Sequence, residues 1–362
     1  MPEVWFPYGG VETLVTIQAE NLGAAVEPVP EDRPVETQGL VDLLKGPASL
    51  VVCDFAPTTV SLVKSLVAML PSQEGLKVLS GESKKLEGAV SELKGRVVQL
   101  DRPIEGAVGV PGQLADPWQK VFVSTARPDP LYGIVDARIQ AALNWLPGAS
   151  EAGAGAREDM EPTPFEKTDS FDAVSGLAGS FSNATFASVV PRGGKVRQVF
   201  ENAPFDAVKQ GFLESNVSPS RGLIIGPGGK GFDDTFSSAL RTLWGSLGAV
   251  RRGGEILMVC ECGSGMGSQA MEMLVSGRLQ GEGKKRDKYV PGLEEVYYLS
   301  KLKEEYGVML LSGLPEVFAK GKLGLSTARG SGEAVGRLLN KLGRTAKVNL
   351  VSRASECRIT AA

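Results

Sequence analysis

The residues best suited to bind an anion lie in a glycine-rich segment in the second half of the chain. This segment reads Gly-Pro-Gly-Gly-Lys-Gly-Phe-Asp-Asp over residues 226–234 and follows an apolar run. Glycines let the backbone approach a ligand closely, and the N–H groups at the start of a following helix attract negative charge. A tight strand-to-helix turn capped by Asp233 explains the segment equally well. The segment matches neither a P-loop nor the dinucleotide-binding pattern. The candidate ligand-binding residues are Gly228, Gly229, Lys230 and Asp233.

A second glycine-rich turn follows the next apolar run. Residues 260–267 read Cys-Glu-Cys-Gly-Ser-Gly-Met-Gly, and Glu261 is a candidate acid–base carboxylate. In open α/β sheets ligands bind at the carboxyl ends of strands, so both turns are expected to face one crevice. The two cysteines are too few to close a metal site, and we expect unreactive buried thiols and no metal. The candidate ligand contacts in this turn are Gly263, Gly265 and Gly267.

Two further carboxylates follow predicted strands in the first half of the chain. Asp54 comes directly after the apolar run 49–53, and Asp129 lies in the turn Arg-Pro-Asp-Pro-Leu-Tyr-Gly over residues 127–133. An aspartate between a strand and a helix commonly caps the helix, and its alternative role is that of a catalytic carboxylate. A loop after the second predicted strand adds two candidate ligand contacts, Ser83 and Lys84.

The sequence has no histidine among its 362 residues. This excludes Ser-His-Asp and Cys-His nucleophile pairs, imidazole general bases, and zinc or nickel sites that need an imidazole ligand. Acid–base chemistry must therefore come from Asp, Glu, Lys, Tyr or Cys. The formal net charge is −3, so there is no overall basic field to hold a nucleic acid.

The composition indicates a reduced, cytoplasmic protein. Four cysteines in a chain of this length do not form a disulfide framework. The first residues, Met-Pro-Glu-Val-Trp-Phe-Pro-Tyr-Gly-Gly, have neither the basic nor the apolar region of a signal peptide. The longest apolar runs are too short to cross a bilayer, so no membrane partner is predicted. The sequence leaves the oligomeric state open.

Short apolar runs alternate with helical segments along the chain. In the first half, the predicted strands are 49–53, 77–79, 96–100 and 121–123, the predicted helices are 59–70, 86–93, 136–145 and 204–214, and a hairpin covers 186–200. In the second half, the predicted strands are 223–225, 255–260, 308–311 and 347–351, and the predicted helices are 233–247, 264–278, 293–306 and 331–342. This alternation predicts an α/β fold with parallel sheets.

The domain organisation is predicted from changes in composition. We expect an N-terminal α/β domain over residues 1–216 and a C-terminal α/β domain over residues 217–362. The stretch 149–170 is rich in Ala, Gly, Glu and Pro, and it is predicted to be a surface loop or linker, with a lid as the alternative. The basic run 284–288 is predicted to be a solvated loop, with an anion-binding patch as the alternative.

The order of these segments resembles the nickel-dependent lactate racemase family. The opening Pro-Tyr-Gly over residues 7–9 is similar to the start of that family, and residues 223–274 resemble its most characteristic region. Matching positions in that region are Gly228, Gly229, Asp233, Gly254, Glu261, Cys262, Gly265 and Gly267. The resemblance implies two Rossmann-like α/β domains with a site in the cleft between them.

The resemblance also implies a chemistry that this sequence lacks. Family racemases bind a nickel-pincer nucleotide that is attached through a lysine and ligated by a histidine, and two further histidines act on the substrate. Here Ser83 and Asp129 fall where histidines belong, and the stretch 138–147 carries Gln140 but no lysine. Where the family has a Gln and a Lys after its Gly-Gly turn, this chain has Ser238 and Arg241, so Arg241 keeps the cationic character. The nickel-pincer nucleotide is therefore not expected, and no cofactor is predicted.

Three hypotheses for the function follow. The first is a racemase-like protein that binds a small carboxylate or a nucleotide-like anion in the cleft without nickel chemistry. The second is an isomerase, lyase or hydrolase that uses the carboxylates Asp54, Asp129 and Glu261 in the same cleft. Carboxylates that converge on Lys230, Lys84 or Arg241 would favour this second hypothesis. The third is racemisation of a 2-hydroxy acid.

Overall fold

A computed structural model describes residues 1–101, 109–279 and 289–362 of the chain. The described strands are β1 (Glu3–Tyr8), β2 (Val11–Thr16), β3 (Leu22–Val26), β4 (Ala48–Val52), β5 (Leu76–Ser80), β6 (Val97–Gln99), β7 (Gln119–Thr125), β8 (Arg127–Asp129), β9 (Gly133–Val135), β10 (Ala184–Arg192), β11 (Lys195–Glu201), β12 (Leu213–Val217), β13 (Ser220–Ile225), β14 (Val250–Val259), β15 (Gly307–Leu311), β16 (Ser326–Ala328), β17 (Val348–Val351) and β18 (Cys357–Ala361). The basic run 284–288 lies outside the described residues.

The α-helices of the described residues mostly cover the faces of the sheets. They are α1 (Gln38–Leu43), α2 (Pro57–Met69), α3 (Ser83–Ala89), α4 (Ala137–Trp145), α5 (Ala149–Gly155), α6 (Asp169–Ala178), α7 (Phe205–Gly211), α8 (Phe236–Leu243), α9 (Gln269–Val275), α10 (Leu293–Glu305), α11 (Glu316–Ala319) and α12 (Ser331–Leu342). Short 3₁₀ turns cover Ser91–Leu93, Gly112–Leu114, Trp244–Ala249 and Ala354–Glu356.

Two six-stranded sheets form the centre of the fold, which is mixed α/β as predicted. The strand order of the first is β11-β10-β7-β4-β5-β6, and only the β10–β11 hairpin in it is antiparallel. The strand order of the second is β16-β15-β14-β13-β17-β3, and all its pairings are parallel. Two-stranded pairs β1–β2, β8–β9 and β12–β18 complete the described sheets.

Continuous burial explains why the central strands read as unbroken apolar runs. All residues of β4 are buried, because helices cover both faces of a parallel sheet. The largest apolar cluster is shared between the two sheets: it contains Val51 and Phe122 from the first, and Leu223 and Ile256 from the second. The carboxyl ends of both sets of strands are therefore held close to one packed core.

The start of the chain joins the second sheet. Strand β3 pairs with β17 at the edge of that sheet, and apolar residues of β1 and β2 pack with Ile224 and Leu257. The first 26 residues, which the predicted boundaries place in the N-terminal domain, thus associate with the C-terminal sheet. The local sequence pattern does not indicate the pairing of β3 with β17, because these strands lie more than 300 residues apart in the chain.

Several elements of the structure differ in length or type from those predicted from the sequence. The stretch 149–170 is not a loop throughout, because α5 occupies Ala149–Gly155 and α6 begins at Asp169. Alanine favours a helix, and two of the small residues of α5, Gly153 and Ala154, are buried against the fold. The predicted helices 204–214, 233–247 and 264–278 are shorter in the structure, as α7, α8 and α9.

Candidate functional site

A cavity of about 290 Å³ lies where strand ends of both sheets meet. We call it the central cavity. Asp54 and Gly81 reach it from the ends of β4 and β5, and Gly231 and Ser264 reach it from the turns after β13 and β14. This is the position at which open α/β sheets bind ligands. Its further polar lining residues are Glu82, Lys85, Arg127, Gln140, Asn144, Asp234, Thr235 and Ser238.

Arg127 is the central cation of this cavity, and the prediction from sequence missed it. Its guanidinium donates to Gln140 Oε1 (2.7 Å), and among the described residues it makes no other side-chain hydrogen bond. Burial lowers the pKa of Arg127, whereas the carboxylates of Asp54 and Asp129 counteract that shift. Because arginine stays protonated in proteins, the cavity contains a partly buried positive charge with unused donors.

A short chain of hydrogen bonds fixes Arg127 from helix α4. Gln140 Nε2 donates to Asn144 Oδ1 (2.9 Å), and Asn144 Nδ2 donates to the carbonyl oxygen of Cys53 (2.7 Å). Gln140 and Asn144 stand one turn apart on α4, which begins correctly at the predicted cap, Asp136. Their spacing of four residues was the available sequence signal, since such residues lie on one helix face.

Asp54 is a rigid, half-buried carboxylate at the edge of the central cavity. Its Oδ2 accepts hydrogen bonds from Ser124 Oγ (2.5 Å) and from the N–H of Thr125 (2.7 Å). Its Oδ1 accepts from the N–H of Ala56 (2.9 Å), just before α2. The carboxylate thus holds the turn before α2 and lines the cavity, but it does not cap α2, whose N-cap position, Ala56, receives no side-chain cap.

Asp129 lies in a second cavity, of about 410 Å³, and is paired with Arg241. We call this the arginine cavity. Arg241 Nε and Nη2 donate to the two carboxylate oxygens of Asp129 at 2.7 and 3.0 Å, and Nη1 contacts Glu294 (3.0 Å) and Glu295 (3.4 Å). The two cavities adjoin, because Arg127, Thr235 and Ser238 line both.

Burial sets the electrostatics of the arginine cavity. Burial alone would lower the pKa of Arg241, but Asp129, Glu294 and Glu295 reverse the effect and raise it well above its ordinary value. Burial raises the pKa of Glu295, although Arg241 opposes this shift. The arrangement therefore holds a permanent cation beside a carboxyl group that keeps its proton to higher pH than an exposed glutamate.

Asp233 is fully buried and connects three turns. Its Oδ2 accepts from the N–H groups of Gly9 (2.9 Å) and Glu261 (3.1 Å), and its carbonyl oxygen accepts from the N–H of Cys262 (2.8 Å). Burial raises the pKa of Asp233. Asp233 does not cap the following helix, as one reading of the sequence suggested, because the side chain of Thr235 caps α8.

Glu261 and the neighbouring cysteines lie outside the central and arginine cavities. Glu261 is half-buried beside Gly9, and Cys260 and Cys262 are buried with their sulfur atoms 3.5 Å apart. The hydrogen bond with Cys260 and burial raise the pKa of the Cys262 thiol. No group of three Cys, Asp or Glu side chains is arranged to hold a metal ion within residues 1–101, 109–279 and 289–362.

The remaining predicted contacts are dispersed. Ser83 and Lys84 begin α3 but do not line the central cavity, whereas their neighbours Glu82 and Lys85 do, joined by an ion pair of 3.2 Å. Gly267 lines the arginine cavity. Two predicted contacts, Gly263 and Gly265, line none of the cavities described, and three others, Gly228, Gly229 and Lys230, line a third cavity beyond the central one.

The lining of the central cavity does not fit a nickel-pincer nucleotide. The sequence contains no histidine to ligate nickel. Among the described residues, the one lysine that lines this cavity is Lys85, which is paired with Glu82 and lies 4.6 Å from the ring centroid of Phe55. The α4 segment presents Gln140 and Asn144 to the cavity instead of a lysine.

Comparison with solved structures identifies the class of fold. The chain is similar to the lactate racemase apoprotein from Thermoanaerobacterium thermosaccharolyticum, with a TM-score of 0.69 and 15% identity over 99% of this chain and 100% of that one. It is also similar to a structural-genomics target from Thermotoga maritima, with a TM-score of 0.56 and 11% identity over 90% of this chain and 96% of that one. The fold is therefore lactate-racemase-like. No protein-family model and no curated protein matches the sequence.

No α-helix among the described residues has the length and apolar character needed to cross a membrane.

Proposed function

We propose that this protein is a lactate-racemase-like binding protein that takes a small carboxylate in the central cavity, without nickel-pincer chemistry. In this proposal the cavity is the cleft between two Rossmann-like domains, residues 1–216 and 217–362, with the first 26 residues attached to the second domain. The observation that carries the proposal is Arg127, a partly buried cation with unused donors in a cavity at the ends of two sets of strands.

The chemistry of the cavity favours a carboxylate over other small ligands. A planar guanidinium binds a carboxylate through two parallel hydrogen bonds, and the bond to Gln140 fixes its orientation in advance. Asn144, Thr235 and Ser238 supply neutral polar groups for a hydroxyl substituent. The volume of about 290 Å³ lies at the small end of ligand cavities, which suits a short hydroxy acid.

Isothermal titration calorimetry with lactate, malate and their hydroxyl-free analogues tests this proposal. We expect Arg127→Met to weaken carboxylate binding by about tenfold or more, since a charged hydrogen bond contributes about 1.5–3 kcal/mol. Arg127→Lys keeps the charge but loses the planar pair of donors, so its affinity for the carboxylate should lie between those of Arg127→Met and the wild type. The matched control is Arg337→Met, which removes an exposed arginine from α12.

The proposal fails if the wild-type protein binds none of these acids, or if Arg127→Met binds them as the wild type does. Equal loss in the Arg337→Met control would show a general effect of charge rather than a site.

A second candidate function is acid–base catalysis, and the arginine cavity is the observation in its favour. Asp129, Glu294 and Glu295 converge on Arg241, which is the arrangement expected of a carboxylate enzyme. The three carboxylates predicted from the sequence do not line one cavity. Asp54 lines the central cavity, Asp129 lines the arginine cavity, and Glu261 lines neither. Glu295 is the group best suited to exchange a proton, since burial raises its pKa.

Deuterium exchange separates the two functions. A racemase that abstracts a proton from a 2-hydroxy acid incorporates deuterium from D₂O at the hydroxyl-bearing carbon, and a lyase that eliminates the hydroxyl incorporates it at the neighbouring carbon; proton NMR detects both. If the protein is an enzyme of this type, exchange occurs in the wild type and is lost in Glu295→Gln, whereas carboxylate binding persists. Binding without exchange supports the first proposal alone.

A further inference from the structure

A third cavity, of about 440 Å³, is lined by glycine turns from three parts of the chain. We call it the glycine cavity. It adjoins the tips of the β1–β2 and β10–β11 hairpins, the turn after β13 and the start of α2, and therefore lies apart from Arg127. Its lining residues are Pro7, Gly9, Gly10, Val11, Glu12, Pro57, Thr58, Pro191, Gly193, Gly194, Gly228, Gly229, Lys230, Phe232, Arg353 and Glu356.

Two cations, Lys230 and Arg353, line this cavity, and neither donates a side-chain hydrogen bond to another of the described residues. Lys230 is exposed; its backbone N–H donates to the carbonyl oxygen of Gly9 (2.9 Å), whereas its side chain makes no hydrogen bond or ion pair with any residue of the described ranges. The side chain of Arg353 is only 21% exposed, and its carboxylate neighbours Glu356 and Glu12 lie at 3.7 and 3.9 Å, beyond hydrogen-bonding distance. The guanidinium packs over Gly194, where a Cβ atom would lie 2.9 Å from Nη1.

The acidic groups of the cavity are already engaged or exposed. Glu356 is buried, which raises its pKa, and it accepts hydrogen bonds from the N–H groups of Gly193 and Gly194, so its carboxyl group already occupies the donors of that turn. Glu12 is more than half exposed and can turn to solvent. An incoming anion therefore competes with Glu356 and Glu12 for Arg353, but only against ion pairs of 3.7 and 3.9 Å that include no hydrogen bond.

Part of the cavity wall is formed by backbone rather than side chains. Gly228 and Gly229 have φ angles of +131° and +81°, which only glycine adopts readily, so the wall carries no side chains there. Behind Gly228, outside the residues that line the cavity, the buried Ser355 hydroxyl has no hydrogen-bond partner among the described residues. The start of α2, at Pro57 and Thr58, has no side-chain cap and adds the positive end of a 13-residue helix.

We propose that the glycine cavity is a second ligand site, separate from the carboxylate site, that binds the phosphoryl group of a small phosphate monoester. A phosphoryl group carries close to two negative charges and three acceptor oxygens at neutral pH. Lys230 supplies a point charge, Arg353 supplies a fork of donors, and the side-chain-free turn lets the backbone approach the oxygens. The cavity volume accommodates a substituent beyond the phosphoryl group.

Titration calorimetry with inorganic phosphate and with glycerol phosphate, at low and at moderate salt, tests the site. We expect binding by the wild type that weakens as salt rises, and a loss of about tenfold or more in Lys230→Gln and in Arg353→Gln. Arg353→Lys keeps a cation in place if the glutamine variant does not fold. The matched control is Lys322→Gln, an exposed lysine far along the chain that lines none of the three cavities.

A double comparison separates this site from the carboxylate site. Lys230→Gln should lose phosphate and keep lactate, whereas Arg127→Met should lose lactate and keep phosphate. Loss of phosphate in Arg127→Met with retention in Lys230→Gln would overturn the proposal, because the phosphate would then occupy the central cavity. Absence of phosphate and glycerol phosphate binding in the wild type would also overturn it, whatever the result for lactate.

Discussion

Replacing Arg241 by methionine gives a quantitative test of the arginine cavity. Methionine keeps an unbranched apolar stem but removes the guanidinium, so Asp129, Glu294 and Glu295 lose the cation that they share. The side chain of Arg241 is 13% exposed and that of Asp129 is 0% exposed, so water screens the pair only weakly. Removal of one partner from a buried pair costs about 3–5 kcal/mol. We expect a loss near the upper end of that range, because several carboxylates are left unpaired.

The assay is urea unfolding at neutral pH, followed by circular dichroism. The matched control is Arg337→Met, which breaks an exposed pair with Glu333 whose side chains are 55% and 39% exposed. That control also removes an exposed hydrogen bond to the carbonyl oxygen of Thr327, and it should lose only about 1 kcal/mol. In a double-mutant cycle with Asp129→Asn, the losses should not add, with a coupling of about 1–3 kcal/mol.

The pH dependence of the stability of Arg241→Met provides an independent test of the same pairing. Without Arg241 the buried carboxylates bind protons more tightly in the folded state than in the unfolded chain. The deficit of Arg241→Met should therefore be smallest near about pH 4 and grow as the pH rises toward 7. A loss below about 1 kcal/mol at neutral pH, or a deficit that does not change with pH, would refute the assignment of Arg241 as the charge that stabilises this cluster.

Four further variants, at three positions, test other parts of the site by the same unfolding assay. Asp233→Ala leaves two N–H groups without their acceptor and should cost about 2–4 kcal/mol, whereas Asp233→Asn keeps an acceptor oxygen and should cost less than half as much. Burial raises the pKa of Glu295, so its contribution to stability is full below its unfolded pKa and is lost as pH rises through the folded value. Glu295→Gln stays neutral and keeps an acceptor for Ser237, so it should gain stability relative to the wild type between about pH 4 and 7. Gly231→Ala should lower the free energy of unfolding by about 1–3 kcal/mol and weaken carboxylate binding. The reason is that Gly231 has a φ of +88° and that an added Cβ would lie 2.7 Å from the Cα atom of Ala56. An unchanged unfolding curve for Gly231→Ala would mean that the turn after β13 does not press against the start of α2.

Local patterns predicted most of the elements that hold the site. Apolar runs placed β4, β5, β7 and β13, and the cap at Asp136 placed α4, because each of these signals is read within a few neighbouring residues. The same reading placed Asp54 at a strand end, where it lines the central cavity. It missed Arg127, because a lone arginine beside a proline carries no local pattern that separates a cavity cation from a surface one.

Contacts between segments far apart in the chain determined the remaining features of the fold and of the cavities. The sequence by itself determined the α/β class, the absence of imidazole chemistry and the glycine-rich turns after two strands, since composition and short-range periodicity are sufficient for these. Only the tertiary structure decided that β3 joins the second sheet, that Arg241 binds Asp129 across 112 residues, and that Lys230 lines a cavity with Arg353 rather than the central cavity. The reason is that a carboxylate or a cation acquires its role from the charges and the burial around it, and those neighbours come from segments remote in the chain.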